Sequence, residues 1–185
     1  MSDGEISISD IDDNPTRLGF YNVLKRMSDN ISRSHGEGRG FVENVTDIKI
    51  KSGEPIKATD IEAQEIPTLV DEIPILSVLA AFADSKSIFR DLSELRVKES
   101  DRLSKTFELL EKAGCSCKII GDDLHIDGGL KRAKAFSYDS EGDHRLAMSA
   151  AIMASFAEGP CEITNASCVD VSFPGFYELL NSLKG

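Results

Sequence analysis

The residues with the most chemical content lie in Leu92-Ser93-Glu94-Leu95-Arg96-Val97-Lys98-Glu99-Ser100-Asp101-Arg102. If a helix begins inside this stretch, Lys98 and Arg102 stand at i,i+4 and Glu99 and Arg102 at i,i+3, so all three share one face. Two cations and a carboxylate on one face could hold a phosphorylated anion and move a proton. The plainer reading is a solvated helix start with ordinary surface ion pairs, which are common and weak. Two other segments also combine charge with an expected helix start. In Leu69-Val70-Asp71-Glu72-Ile73-Pro74, Asp71 sits where an N-cap belongs, and capping is its plain explanation. In Glu141-Gly142-Asp143-His144-Arg145, the glycine lets backbone approach a ligand, and the helix start favours an anion.

The elements that must position these residues follow from periodicity. Ile6-Ser7-Ile8-Ser9-Asp10-Ile11 alternates as a strand, and Asn14-Pro15-Thr16 opens a helix over about Arg17–Met27. Asn30–Ser34 and Val45–Lys51 read as strands, separated by the flexible loop Gly36-Glu37-Gly38-Arg39-Gly40. No Gly-Lys-Ser/Thr follows those glycines, which argues against a phosphate-cradling loop. Next come a strand at Ile56–Ile61, a helix at Asp71–Ala83 with Pro74 in its first turn, and a strand at Ser87–Asp91. The charged motif leads into a helix ending at Gly114, followed by a hairpin of Cys115–Ile120 and Leu124–Asp127. The last block is a strand at Lys134–Tyr138, a helix at Gly142–Ala157, a strand at Cys161–Asn165 and a helix at Pro174–Leu183.

Equivalent helices thus begin near Asp71 and Asp143, a period of about seventy residues that signals repeated units. The predicted class is α/β (α+β), built from strand-helix-strand-helix-strand-strand units at about 1–52, 53–130 and 131–185. The first unit begins at what would be its third element, so the chain reads as truncated at its front. Three charged helix starts at matching positions carry more weight than any one of them, because repeat symmetry could bring them to one mouth.

Composition sets the outer bounds. A chain of 185 residues, 41% hydrophobic and 29% charged, can bury a real core. A net charge of -11 argues against nucleic-acid binding, yet leaves room for a local basic pocket that takes a small anion. No apolar run approaches the ~20 residues that cross a bilayer. The acidic start Met1-Ser2-Asp3-Gly4-Glu5 is unlike a secretory signal. Cys115, Cys117, Cys161 and Cys168 lack zinc-site spacing, and His35, His125 and His144 are scattered, so reduced thiols in a cytoplasmic protein without a metal are expected.

Arg96-Val97-Lys98-Glu99-Ser100-Asp101-Arg102-Leu103 resembles the signature of the 5-enolpyruvylshikimate-3-phosphate synthase family. Asn14-Pro15-Thr16-Arg17, Val70-Asp71-Glu72-Ile73-Pro74, Gly142-Asp143-His144-Arg145 and Ser172-Phe173-Pro174-Gly175-Phe176 resemble further segments of that family, in the same order. The resemblance covers nearly the whole chain and concerns the family's C-terminal part. It implies an enolpyruvyl transferase lobe (an inside-out α/β barrel) without its first strand and helix, an active site between two lobes, and the absent N-terminal lobe as partner.

The resemblance also implies the reaction. The 5-hydroxyl of shikimate 3-phosphate attacks C2 of phosphoenolpyruvate, and the tetrahedral intermediate loses phosphate, with no metal or cofactor. Asp71 matches the base and a shikimate 3-phosphate contact, Lys98 its neighbouring proton relay and substrate contact, and Glu99 the acid at the phosphoenolpyruvate methylene. Arg102 and Arg145 match arginines that grip phosphoenolpyruvate, with His144 beside them. Two positions depart from the pattern: Val171 stands where some members carry a lysine, and Glu94 where some carry an asparagine. This fragment alone is expected to be inactive. The competing readings are a non-catalytic, partner-dependent lobe and the related transferase acting on UDP-N-acetylglucosamine, whose signatures lack the Arg-Val-Lys-Glu-Ser-Asp-Arg run.

Overall fold

Alternating isoleucines build the first sheet, as the pattern predicts. In the computed structural model, which describes residues 4–12, 14, 16, 18–35 and 45–183, β1 (Glu5–Asp12) pairs antiparallel with β3 (Val45–Lys51). The register sets Ile6 opposite Ile50 and Ile8 opposite Ile48, then shifts at a bulge where Asp10 takes φ +58°. β2 (Ile31–His35) pairs antiparallel with the other edge of β3. Between β1 and β2, α1 (Gly19–Met27) buries Val23 and Met27. Its described start falls two residues after the expected Arg17. Pro15 and Arg17 themselves lie outside the described residues, as does the glycine loop at 36–40.

The expected strand Ile56–Ile61 does not form. Only Ile61 bridges, parallel to Phe89. Side chains intercept the hydrogen bonds that a ladder would use: Asp84 accepts from Ala58 N at 3.0 Å, Ser87 from Thr59 N at 3.1 Å, and Asp60 from Ile88 N at 2.9 Å. The expected helix Asp71–Ala83 is also shorter. Two 3-10 segments, Ala63–Thr68 and Val70–Glu72, precede α2 (Ile73–Ala81). Pro74 lacks an N–H and sits at the start of the helix, where no intrahelical donor is needed.

β4 (Ser87–Phe89), α3 (Arg102–Lys112), β5 (Cys117–Ile120) and β6 (Asp123–Ile126) complete the second sheet, in the order β4-β6-β5 with both pairs antiparallel. The first sheet, β1-β3-β2, has the same connectivity: strand, helix, strand, and a last strand returning to the middle. Gly114 closes α3 at φ +91°.

The third sheet pairs β7 (Ser137–Asp139) parallel to β8 (Glu162–Thr164) across α4 (His144–Ala154). The expected final helix forms over a slightly shorter span, and a further short helix precedes it. α5 (Val169–Ser172), absent from the sequence reading, and α6 (Phe176–Ser182) are separated by Gly175 at φ +81°. α2 and α4 pack together at the centre, where Leu76, Val78, Ala80, Leu146, Ala150 and Met153 join Phe89 and Tyr138 in one core. The four cysteines are free, and burial pushes the Cys115 and Cys117 thiols up to about 11 and about 12. No helix among the described residues is long and apolar enough to cross a membrane.

Candidate active site

The charged motif does not run as one helix. Ser93–Val97 is a 3-10 turn, Lys98 is extended (φ −79°, ψ −158°), and α3 starts only at Arg102. The cause is Asp101, whose carboxylate caps the helix by accepting from Ser104 N at 3.0 Å and Ser104 Oγ at 2.7 Å. Lys98 and Arg102 therefore do not share a helical face, which corrects the expected i,i+4 geometry. Lys98 reaches back to Glu94 Oε1 at 2.6 Å. Arg96 ties the motif to the β5–β6 hairpin through Asp122 Oδ1 (2.8 Å) and the Gly121 carbonyl (3.2 Å).

Arg102 is the centre of the site. Its side chain is 1% exposed, and all three nitrogens of its guanidinium donate to carboxylates. Nε meets Asp143 Oδ2 at 2.7 Å, one terminal nitrogen meets Asp71 Oδ1 at 2.9 Å, and the other meets Glu99 Oε2 at 2.5 Å. The expected open fork for an anion is thus closed in this state. Of the three partners Glu99 is the most exposed, at 58%, so it is the one that can swing away with least disruption.

Burial opposes the charge on Arg102, but the hydrogen bond and attraction of Asp143, with Glu99 and Asp71, outweigh it and hold the guanidinium more firmly protonated than usual. Burial likewise works against ionised Asp143, yet Arg102 and the N–H groups of Arg145 and Leu146 bring its pKa below the ordinary value.

Asp71 joins two arginines from different helices. Its Oδ1 accepts from Arg102 and its Oδ2 forms an ion pair with Arg145 at 3.2 Å, while Arg145 also reaches Glu72 Oε1 at 3.3 Å. Asp71 lies within the 3-10 segment Val70–Glu72 and makes no side-chain cap to α2, so capping does not explain it. His144 is the first residue of α4 and is half-buried between Asp143 and Arg145 in sequence. The structure therefore brings Asp71, Glu99, Arg102 and Arg145 into one linked network, with Lys98 turned toward Glu94, and His144 neighbours it only through its place at the start of α4.

Sequence reasoning gave no role to Asp143. It is fully buried, caps α4 through Arg145 N (2.9 Å) and Leu146 N (3.4 Å), and accepts from Ser100 Oγ at 3.2 Å as well as from Arg102. Its available signal was an aspartate one residue before a helix. Val171 is 88% exposed on α5 and brings no cation.

The family model described as EPSP synthase (3-phosphoshikimate 1-carboxyvinyltransferase) matches residues 1–180. The chain belongs to the EPSP synthase family. It is 43% identical over 178 residues to the 3-phosphoshikimate 1-carboxyvinyltransferase of Caldicellulosiruptor saccharolyticus, covering 96% of this chain and 41% of the relative. Identity to the protein of that name from Coxiella burnetii is 39% over 171 residues, covering 92% of this chain and 38% of the relative. An EPSP synthase structure from Acinetobacter baumannii superposes with a TM-score of 0.87 at 30% identity, over 98% of this chain and 42% of that one. The enolpyruvyl transferase NikO from Streptomyces tendae shares the fold, with a TM-score of 0.59 at 17% identity, covering 90% of this chain and 34% of that one. The fold is thus that of the expected enolpyruvyl transferase lobe, and the chain spans about two fifths of the length of the EPSP synthase relatives.

Proposed function

We propose that this chain supplies one half of the active site of a cytoplasmic 3-phosphoshikimate 1-carboxyvinyltransferase on the route to chorismate and aromatic amino acids. The observation that carries the proposal is the carboxylate of Asp71 held between Arg102 and Arg145, with Glu99 on the same guanidinium. This set can position two anionic substrates and exchange protons between them, and it needs no metal or cofactor. Shikimate 3-phosphate and phosphoenolpyruvate are the substrates, and the remaining portion of the relatives is the partner.

In the proposed reaction, Asp71 accepts the proton of the 5-hydroxyl as that oxygen bonds to C2 of phosphoenolpyruvate. Glu99 gives a proton to the methylene carbon, forming a methyl group in the tetrahedral intermediate. Loss of a proton from that methyl and cleavage of the C2–O bond to phosphate then yield the enol ether and inorganic phosphate. Lys98, released from Glu94, stabilises negative charge beside Asp71 and contacts shikimate 3-phosphate. Arg102 and Arg145 grip phosphoenolpyruvate, with His144 next to them.

Around Arg102 and Arg145 stand four carboxylates, those of Asp71, Glu72, Glu99 and Asp143. Four anions against two cations do not attract a trianionic substrate unless cations arrive from a partner. The chain alone is therefore inactive in this proposal.

The test is phosphate release from phosphoenolpyruvate, measured with this chain, with a separately prepared polypeptide carrying the rest of a relative, and with both. Turnover that requires the mixture and shikimate 3-phosphate supports the proposal. No turnover in a demonstrated complex, or turnover with UDP-N-acetylglucosamine in place of shikimate 3-phosphate, overturns it.

A further inference from the structure

Two cations of α3 are matched to two acids of the turn that leads from β7 into α4. Arg102 and Lys105 stand at i,i+3 on the helix, and Asp143 and Glu141 close the turn. Arg102 holds Asp143, and Lys105 Nζ forms an ion pair with Glu141 Oε1 at 3.6 Å. One helix thus grips the turn at two points. The first is the buried pair described above, and the second lies outside the network around Asp71.

A loose surface lysine would add little to such a grip, because ordering its side chain cancels much of the attraction. Lys105 is already ordered. Its side chain is 12% exposed, its ammonium stands 4.9 Å from the centre of the Tyr138 ring, and the Tyr138 hydroxyl donates to its carbonyl at 3.1 Å. Glu108 Oε2 lies closer, at 2.6 Å, but the other oxygen of that carboxylate pairs with Lys112 at 2.7 Å. Two cations share one anion there, and the surplus positive charge faces Glu141.

The turn needs that hold. Glu141 takes φ +53°, a left-handed conformation unfavourable for a residue with a side chain, and Gly142 follows at φ +78°. Glu141 N donates to Asp139 Oδ1 at 2.8 Å and Asp143 N to the Ser140 carbonyl at 2.9 Å, so the turn is closed locally. Those bonds do not tie it to α3, which Arg102 and Lys105 do. Arg145 follows two residues later.

We propose that Lys105 is a positioning residue: through Glu141 it sets the turn that delivers Arg145 to the anionic substrate. The proposal rests on the reading of Arg145 as a grip on phosphoenolpyruvate. Lys105 itself touches no reacting atom.

Amide hydrogen exchange on this chain tests the positioning without any reaction. In Lys105→Met, which keeps an unbranched side chain beside Tyr138, the Glu141 and Asp143 amides should exchange severalfold faster than in the parent. The amide of Leu110, buried in α3, should not change. Lys105→Arg should restore the parent rates, and adding Glu141→Gln to Lys105→Met should quicken them no further. In the complex with the rest of a relative, Lys105→Met should raise KM for phosphoenolpyruvate about threefold or more with kcat little changed. If Lys105→Met fails to fold, Glu141→Gln, at a side chain 53% exposed, takes its place in the same measurements. Unchanged exchange, quickening that spreads evenly to Leu110, no rescue by arginine, or an unmoved KM in an active complex overturns the proposal. A parent complex that binds no phosphoenolpyruvate overturns the reading of Arg145 instead, and the exchange rates then decide whether Lys105 sets the turn.

Discussion

Arg102 Nε donates to Asp143 Oδ2 over 2.7 Å, and the two side chains are 1% and 0% exposed. The bond clamps the first residue of α3 to the N-cap of α4, so the two helix starts are set relative to each other by one buried ion pair. Breaking such a pair from one side leaves a charge buried without its partner, which costs far more than a surface pair is worth.

Asp143→Asn separates the charge from the cap, because asparagine caps a helix about as well as aspartate. Thermal or urea unfolding should show a loss of about 3 kcal/mol at neutral pH, the low end for a broken buried pair because Arg102 keeps Asp71 and Glu99. The loss should also depend on pH. The folded pKa of Asp143 lies below the ordinary 3.8, so its stabilisation is complete above that value and fades as pH falls through the lower folded value. The gap between parent and variant should therefore be constant from neutral pH to about 5 and narrow below about 4. A gap that stays constant down to acid unfolding would show that the carboxylate charge is not what stabilises.

Arg102→Lys keeps the charge but loses the planar fork. One ammonium cannot reach Asp71, Glu99 and Asp143 in the three directions that the guanidinium nitrogens serve. A drop of about 2–4 kcal/mol in unfolding free energy is expected. Hydrogen exchange should quicken at the starts of α2 and α4, which Arg102 joins through Asp71 and Asp143. The double variant with Asp143→Asn should lose clearly less than the sum of the two single losses, since both remove the same bond. Additive losses would mean that the two residues act separately.

Elements governed by local patterns were legible in the sequence. The Ile6-Ile8 alternation marked β1 as a strand, and Gly114 placed the end of α3. What failed was set by side chains competing for backbone. Asp60, Asp84 and Ser87 took the hydrogen bonds of the expected strand Ile56–Ile61, and Asp101 capped α3 at a point that took Lys98 out of the helix. The site was legible as separate charged helix starts. That Arg102 binds carboxylates 31 and 41 residues away was not, because such pairings depend on how α2, α3 and α4 meet.

Gly19→Ala tests how α1 is seated on the segment that leads to Asp71. A Cβ at Gly19 would stand 2.6 Å from the Thr68 carbonyl oxygen and 2.2 Å from its hydroxyl, so the backbone of one element has to move. Overpacking of this kind is expected to cost about 1–3 kcal/mol, even though alanine is the better helix former. Gly4→Ala, where the nearest atom would be 3.8 Å away, should be neutral and serves as the control. If Gly19→Ala is neutral as well, α1 is not packed against Thr68.

Glu99→Gln bears on the proposed chemistry and belongs in the reconstituted protein. Glu99 contributes a negative charge to Arg102 from a position 58% exposed, and in the proposed reaction it also donates a proton to the methylene carbon. Glutamine keeps the length and a hydrogen-bonding end but cannot cycle a proton. If Glu99 is the acid, kcat should fall by roughly 100-fold or more, while the Michaelis constant for phosphoenolpyruvate stays level or drops because Arg102 is freer to bind the anion. If Glu99 serves only to neutralise Arg102, the amide should instead tighten anion binding with little loss of kcat. A raised Michaelis constant at unchanged kcat fits neither role and would remove Glu99 from the mechanism.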